Sequence, residues 1–384
     1  MRAGKRPVRR AKGGRAGRTR VVQVALQERS YSIRLGDGTL ERVGAEVARL
    51  TGATRAALIT VAGVGRRYAG TVLRSLREAG LRAGRIDVPD GDATKNLRQV
   101  GQLYGEFLEQ GLDRGSVVVA LGGGMVGDLS GFAAATFLRG IDFVQIPTTV
   151  LSMVDASIGG KVGVNLPQGK NLVGAFHQPR LVWIDVATLR SLPARERAAG
   201  FAEVVKAGAL WDAAFFERLE RDAEALLELE PRVLLPVLER ACAIKAEVVR
   251  LDERESGVRM LLNLGHTMGH AVETLLGYRG LLHGEAVSMG MAFAARRSEE
   301  LGLAPAGVAE RLESLLLRFG LPVEVPERPR RAYLEAMKVD KKSRDSRIRY
   351  IVLRRIGRAE AVSLTPAEIL PARRSPRARR GTSR

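Results

Sequence analysis

Residues 116–128 read SVVVALGGGMVGD, an apolar run that passes straight into clustered glycines. The β-branched stretch 116–121 predicts a strand, and the residues after Gly122 predict the opening of a helix. Gly122, Gly124 and Gly127 form G-x-G-x-x-G across that junction, with Asp128 at its end. Glycines at such a turn let backbone N–H groups approach a pyrophosphate, and the helix N-terminus adds a positive pole. The motif lies some hundred residues into the chain, away from the first strand, so the ordinary dinucleotide-binding layout does not apply.

On either side, similar apolar runs occur near 21–26, 56–61, 142–147 and 181–185, separated by helix-period stretches at 40–51, 67–79 and 95–110. Strands that are apolar throughout, alternating with helices, predict a parallel sheet covered on both faces. After residue 191 the texture changes. Segments 200–209, 213–229, 233–250, 260–277, 284–302 and 306–318 carry helical spacing, and a late strand is expected at 347–353. The expected class is therefore α/β: a Rossmann-like parallel-sheet domain over 21–191, then a mostly helical domain over 192–370. The glycine-rich segment 155–178, which contains Asp155, Lys161, Asn165, Lys170 and Asn171, reads as a long functional loop.

The formal net charge of +20 is concentrated at the ends. Residues 1–20 hold nine Lys/Arg and no acid, and 373–384 hold six Arg and no acid, leaving +5 for the rest. Basic arms at 1–20 and 371–384 are expected to be disordered, and nucleic-acid binding through them is the weakest functional reading. One cysteine, Cys242, excludes a disulfide framework and a thiolate metal cluster. No apolar run reaches the ~18 residues of a membrane span. With no secretory signal pattern, the expected location is the cytoplasm.

Scarcity is more informative than the excess. Only four histidines occur, and three of them, His266, His270 and His283, fall within eighteen residues. His266 and His270, at i and i+4, share a helix face. Such clustering suits a catalytic metal with an open position, and Glu203 in AEVVK is a candidate to complete the set. H-E-x-x-H is absent, which removes the metalloprotease reading. Arginine outnumbers lysine 52 to 10, so each retained lysine is a candidate for a compact cation. A nucleotide-type turn, a metal site and scattered cations together imply redox chemistry on a phosphorylated or carboxylated polyol.

The motifs GGGMVGDLSGFAAATFLRG (122–140), IPTTVLSMVDASIGGKVGVN (146–165), GKNLVGAFHQP (169–179), AEVVKAG (202–208), LNLGHTMGHAVE (262–273), HGEAVSMGM (283–291) and DKK (340–342) resemble the 3-dehydroquinate synthase family over about 21–365. The resemblance implies NAD, one divalent metal (zinc or cobalt), a homodimer, and a role in the shikimate pathway to chorismate and aromatic amino acids. It implies Glu203, His266 and His283 as metal ligands, with His270 moved to substrate binding. NAD would contact Asp90, Gly91, Asp92, Lys95, the run Gly122, Gly123, Gly124, Met125, Val126, Gly127 and Asp128, then Thr148, Thr149, Asp155, Lys161, Lys170 and Thr188. The substrate, 3-deoxy-D-arabino-heptulosonate 7-phosphate, would meet Arg139, Asp155, Lys161, Asn171, Lys206, Lys245, Arg259, Asn263, His270, Lys341 and Lys342. The implied reaction is transient oxidation by NAD, β-elimination of phosphate, re-reduction and intramolecular aldol closure. The nearest rival is another NAD- and metal-dependent sugar-phosphate cyclase. A metal-dependent polyol dehydrogenase, a more distant rival, would release NADH.

Overall fold

The structure, a computed structural model, describes residues 19–339 and 347–372. The basic arm through residue 18, the DKK triplet with Lys341 and Lys342, and the tail from 373 lie outside the described residues.

The first half alternates as its sequence predicts. Strands β1 (Arg20–Val24), β2 (Tyr31–Gly36), β3 (Arg55–Val61), β4 (Arg82–Val88), β5 (Val117–Gly122) and β6 (Asp142–Pro147) are interleaved with helices α1 (Val43–Thr51), α2 (Ala62–Glu78), α3 (Leu97–Glu109) and α4 (Gly124–Thr136). A hairpin of β7 (Lys161–Leu166) and β8 (Gly169–Phe176) precedes β9 (Leu181–Asp185). The main sheet has the order β1-β2-β9-β6-β5-β3-β4, with β1 antiparallel and all other pairings parallel. β5 is buried along its whole length. Its alternate side chains divide between two cores: Val118 and Ala120 face the α3–α4 side, Val117, Val119 and Leu121 the α1–α2 side. Chain order reverses between β3 and β5, and ligands in such sheets bind beyond the strand ends at that point.

The second half is helical: α5 (Ala194–Trp211), α6 (Ala213–Leu227), α7 (Pro231–Leu251), α8 (His266–Leu275), α9 (His283–Glu300), α10 (Val308–Arg318) and α11 (Arg330–Val339). A hairpin of β10 (Ile348–Arg355) and β11 (Arg358–Leu364) and the short α12 (Pro366–Ile369) complete it. One continuous core joins Val24, Ile33 and Ile184 of the sheet to Phe201, Leu238 and Val287 of the helices. Burying that shared apolar surface holds the helical layer against the β1–β2–β9 edge. Among the described residues no helix is long and apolar enough to cross a membrane.

One expectation is overturned. Residues 155–178 are not a long loop, because β7 and β8 pair antiparallel within them. Gly163 and Gly174 lie opposite each other, where a Cβ on either would come within 2.7 Å or 2.5 Å of the facing carbonyl. The glycines that look like loop composition are what lets these two backbones approach. Asp155 sits just before them, in a π-helical turn spanning Ser152–Ala156.

Candidate active site

A cleft of about 780 Å³ opens between the carboxyl ends of the sheet, the β7–β8 hairpin and the helical layer. Gly124, Met125 and Asp128 of the glycine turn line one wall, with Asp92 and Lys95 beside them. The turn is tight. A Cβ at Gly127 would meet Gln145 Oε1 at 2.4 Å and one at Gly123 would meet Thr149 Cγ2 at 3.3 Å, so α4 rests directly on β6 and the following turn. Thr148 and Thr149 therefore abut the glycines, Thr148 donating its N–H to the Gly122 carbonyl at 2.9 Å, and Val126 is buried in the core. Asp90 and Gly91, joined by a hydrogen bond from the Gly91 N–H to the Asp90 carboxylate, do not line the cleft. Lys95, itself buried, donates to Asp128 Oδ2 at 2.8 Å and to Asn171 Oδ1 at 2.5 Å, tying the hairpin to the glycine turn. Burial raises the Asp128 carboxyl above its ordinary range against the pull of Lys95. Thr188 is buried, and its hydroxyl donates to the Asp185 carbonyl at 2.8 Å, away from the cleft lining.

The opposite wall is cationic. Lys245 on α7 pairs with Asp155, and Lys161 on β7 pairs with Glu255. Burial works against Asp155 ionising, but Lys245 and Lys206 outweigh it and hold its carboxyl far below the usual range. Burial lowers the Lys245 ammonium while Asp155 opposes that shift. Arg259, 1% exposed, donates to the Gly159 carbonyl at 3.1 Å and to Glu253 O. Its loop is folded by Asp252, whose carboxylate accepts the backbone N–H groups of Ser256, Gly257 and Arg259 at 2.9, 2.7 and 3.0 Å. Asn263 donates to Glu255 at 3.0 Å, the carboxylate that pairs with Lys161 of the cleft lining, and does not itself line the cleft. Cys242 is fully buried, and burial pushes its thiol up to about 12, which removes it as a nucleophile.

At the helical end, Glu203, His266 and His283 bring one donor atom each within 4.8 Å of one another. They come from α5, α8 and α9, which glycines allow to touch. A Cβ at Gly284 would lie 1.8 Å from Ala199 O of α5, and one at Gly290 would lie 1.9 Å from Gly265 O at the start of α8. Glu203 Oε2 pairs with Lys206, but Oε1 is buried with no hydrogen-bond partner. That orphaned oxygen is 4.0 Å from the Nε2 atoms of both His266 and His283. Burial, with help from Lys206, drives the His266 pKa well below its ordinary value, so its ring is neutral and has a lone pair to give. An unsatisfied buried carboxylate oxygen facing two imidazoles fits a divalent cation with nitrogen and oxygen ligands. A second group, His270, Glu273 and His283, shares one histidine with the first.

The cleft thus brings together Asp92, Lys95, Gly124, Met125, Asp128, Asp155, Lys161, Lys170, Asn171, Lys245, Arg259, His270 and His283 from the expected set. Arg139 is elsewhere. It follows a left-handed turn, with its own φ at 71°, and lines a separate cavity with Arg114, Asp142 and His177. Two acids were not anticipated. Glu255 pairs with Lys161, and burial of its carboxyl is outweighed by that lysine, which lowers its pKa. Glu273, buried on α8, faces Lys170 and His283. Its only trace in the sequence is its spacing, three residues from His270 and seven from His266.

The family model for the 3-dehydroquinate synthase N-terminal region matches residues 85–199, and that for the C-terminal region matches 200–343. A 3-dehydroquinate synthase from Citrifermentans bemidjiense is 49% identical over 344 residues, covering 90% of this chain and 95% of the relative. Among solved structures, a 2-epi-5-epi-valiolone synthase from Streptomyces hygroscopicus with NAD+ and Zn2+ bound superposes with a TM-score of 0.81 at 30% identity, covering 90% of this chain and 96% of that one. A 2-deoxy-scyllo-inosose synthase complexed with carbaglucose-6-phosphate, NAD+ and Co2+ gives 0.79 at 25%, covering 91% and 98%.

Proposed function

The chain belongs to the 3-dehydroquinate synthase family, and from that premise we propose that it converts 3-deoxy-D-arabino-heptulosonate 7-phosphate to 3-dehydroquinate and phosphate, using NAD and one divalent metal. The observation that carries this reading is a cleft that holds several buried cations and that meets the Glu203, His266 and His283 donor set at His283. A substrate with vicinal hydroxyls, a carboxylate and a phosphate needs both ends of it.

NAD, when bound, supplies a reversible hydride acceptor, and the metal, zinc or cobalt, supplies a Lewis acid toward the hydroxyls. Glu203, His266 and His283 would hold the metal; Gly122 to Asp128, Asp90 to Lys95, Thr148, Thr149 and Lys170 would hold NAD, and Thr188, its hydroxyl committed to the Asp185 carbonyl, would serve only through the backbone of its turn. The side chains do the rest. Arg259 and Lys161 clamp the two anionic groups, with charge-assisted hydrogen bonds stronger than neutral ones. The Gly159 carbonyl and the Glu255 carboxylate keep these two cations in place before substrate arrives. Lys245 and Lys206 keep Asp155 ionised at the cleft floor, where it accepts hydrogen bonds from substrate hydroxyls. His270, one turn beyond His266 and lining the cleft, would bind the substrate beside the metal. Asn171 and Asn263 orient hydroxyls, and Lys341 or Lys342 adds a further cation.

The same proposal includes a division into an NAD-binding unit, 21–191, and a metal- and substrate-binding unit, 192–370. A homodimer, in which Arg139 also serves the substrate, and a cytoplasmic location accord with a small-molecule biosynthetic enzyme. The discriminating experiment offers the purified protein three substrates: the heptulosonate phosphate, glucose 6-phosphate and sedoheptulose 7-phosphate. Phosphate release from the first alone supports the proposal; preference for either of the others assigns a different cyclase.

A further inference from the structure

We propose that Glu273 is the positioning residue for the metal centre, and that it acts through His283. The inference rests on the metal-binding reading above and adds a residue to it. The two histidines facing Glu203 are arranged alike. Each has Nε2 at 4.0 Å from the orphaned Glu203 Oε1, and each has its other ring nitrogen against an oxygen. For His266 that oxygen is the Leu264 carbonyl, 3.3 Å from Nδ1. For His283 it is Glu273 Oε1, 3.5 Å from Nδ1. A proton kept on Nδ1 leaves the Nε2 lone pair for the metal, and a carboxylate acceptor also makes the ring a stronger donor.

Glu273 is fixed for this task. It is 5% exposed and lies on α8, two turns beyond His266, so one helix supplies a ligand and the support for another ligand across the helix pair. Lys170 Nζ lies 3.7 Å from Oε1, 3.2 Å from Asp92 and 4.5 Å from the centre of the Tyr278 ring. Lys170 thereby compensates the buried carboxylate and connects it to the wall proposed for NAD. The alternative role, Glu273 as a direct ligand with His270 and His283, would use His283 Nδ1 in place of Nε2 and leave Glu203 Oε1 unsatisfied.

The test uses the full-length protein stripped of metal, with Glu273→Ala and the near-isosteric Glu273→Gln beside wild type and His283→Ala. Zinc affinity is measured by competition with a chromophoric chelator, and the cobalt-loaded forms are compared by visible absorption. Glu273→Ala is expected to bind zinc about 10- to 100-fold more weakly and to shift the cobalt ligand-field bands. Glu273→Gln, whose amide oxygen still accepts from Nδ1, is expected to fall between Glu273→Ala and wild type. Wild-type affinity and an unchanged cobalt spectrum in either variant would overturn the proposal. So would a loss in Glu273→Gln as large as in His283→Ala, because that would make Glu273 a ligand. If His266→Ala and Glu203→Gln both keep full zinc affinity, the underlying metal-site reading fails instead. If the Ala variant does not fold, the Gln variant decides alone.

Discussion

Gly290→Ala isolates the packing that assembles the metal donors. On an isolated helix the change would be favourable by about 1 kcal/mol, because alanine has the higher helix propensity. In this fold a Cβ at 290 would stand 1.9 Å from Gly265 O, 2.7 Å from Gly265 C and 3.0 Å from Gly269 N, all backbone atoms. Real contacts essentially never fall below 3.0 Å, so α8 and α9 must move apart by about 1 Å. Overpacking of this kind costs about 1–3 kcal/mol, enough to reverse the propensity gain. His266 opens α8 and His283 opens α9, so the movement separates two of the three ligands. Metal–ligand distances tolerate only about 0.2 Å, which sets the expected loss of zinc affinity at about tenfold or more. Chelator competition and thermal unfolding of the metal-free protein read the two effects separately. Gly70→Ala, on α2 with nothing within 4 Å of a new Cβ, is the control and should be neutral or slightly stabilising. A Gly290→Ala protein that is more stable than wild type and binds zinc normally would refute the claim that close helix contact builds the site.

Three further outcomes are expected. His266→Ala should lose both bound metal and turnover while keeping its far-ultraviolet circular dichroism; a metal-loaded, active variant would remove His266 from the ligand set. Lys245→Met should destabilise the protein by about 3 kcal/mol at neutral pH by stranding the Asp155 carboxylate, a loss checked by urea unfolding. Asp252→Asn should cost about 1–3 kcal/mol near neutrality and weaken substrate binding, because one of the two oxygens that accept the N–H groups of the loop carrying Glu255 and Arg259 becomes a donor and the charge is lost. Burial opposes ionisation of Asp252, but the hydrogen bonds from Ser256, Arg259 and Gly257 win and depress its pKa. A depressed acid stabilises the fold above its ordinary value of 3.8, and that contribution disappears as pH falls through the folded value. The stability difference between wild type and Asp252→Asn should therefore be flat from pH 8 to about pH 5 and shrink below about pH 4. A difference that grew on acidification would contradict the assignment.

How far the sequence could be read followed from where each signal lay. The strand at 117–122 and the glycine turn were legible because burial on both sides of a parallel sheet imposes an uninterrupted apolar run. β2, one strand in from an edge, and the edge strand β4 carry charged residues such as Arg34 and Arg85 and lack that mark. The β7–β8 hairpin was misread because Gly163 and Gly174 serve backbone approach, which composition alone cannot separate from loop. His266 and His283 stood out because histidine is rare in this chain. Glu255 and Glu273 did not, since two acids among 42 carry no distinction until partners arrive from other elements. Lys161 for Glu255, and His283 with Lys170 for Glu273, come from β7, α9 and β8. Arg139 matched a motif yet lines a separate cavity, a placement that only the chain's path after α4 decides.

In the proposed reaction, catalysis borrows and returns a hydride at one metal-dependent site. Phosphate release and NADH absorbance, followed together in a single reaction with heptulosonate phosphate, zinc and limiting NAD, test it directly. Many phosphates released per NAD, with no net NADH and with turnover abolished by chelation, is the predicted result. Stoichiometric NADH formation, or phosphate release that survives removal of metal, would contradict it.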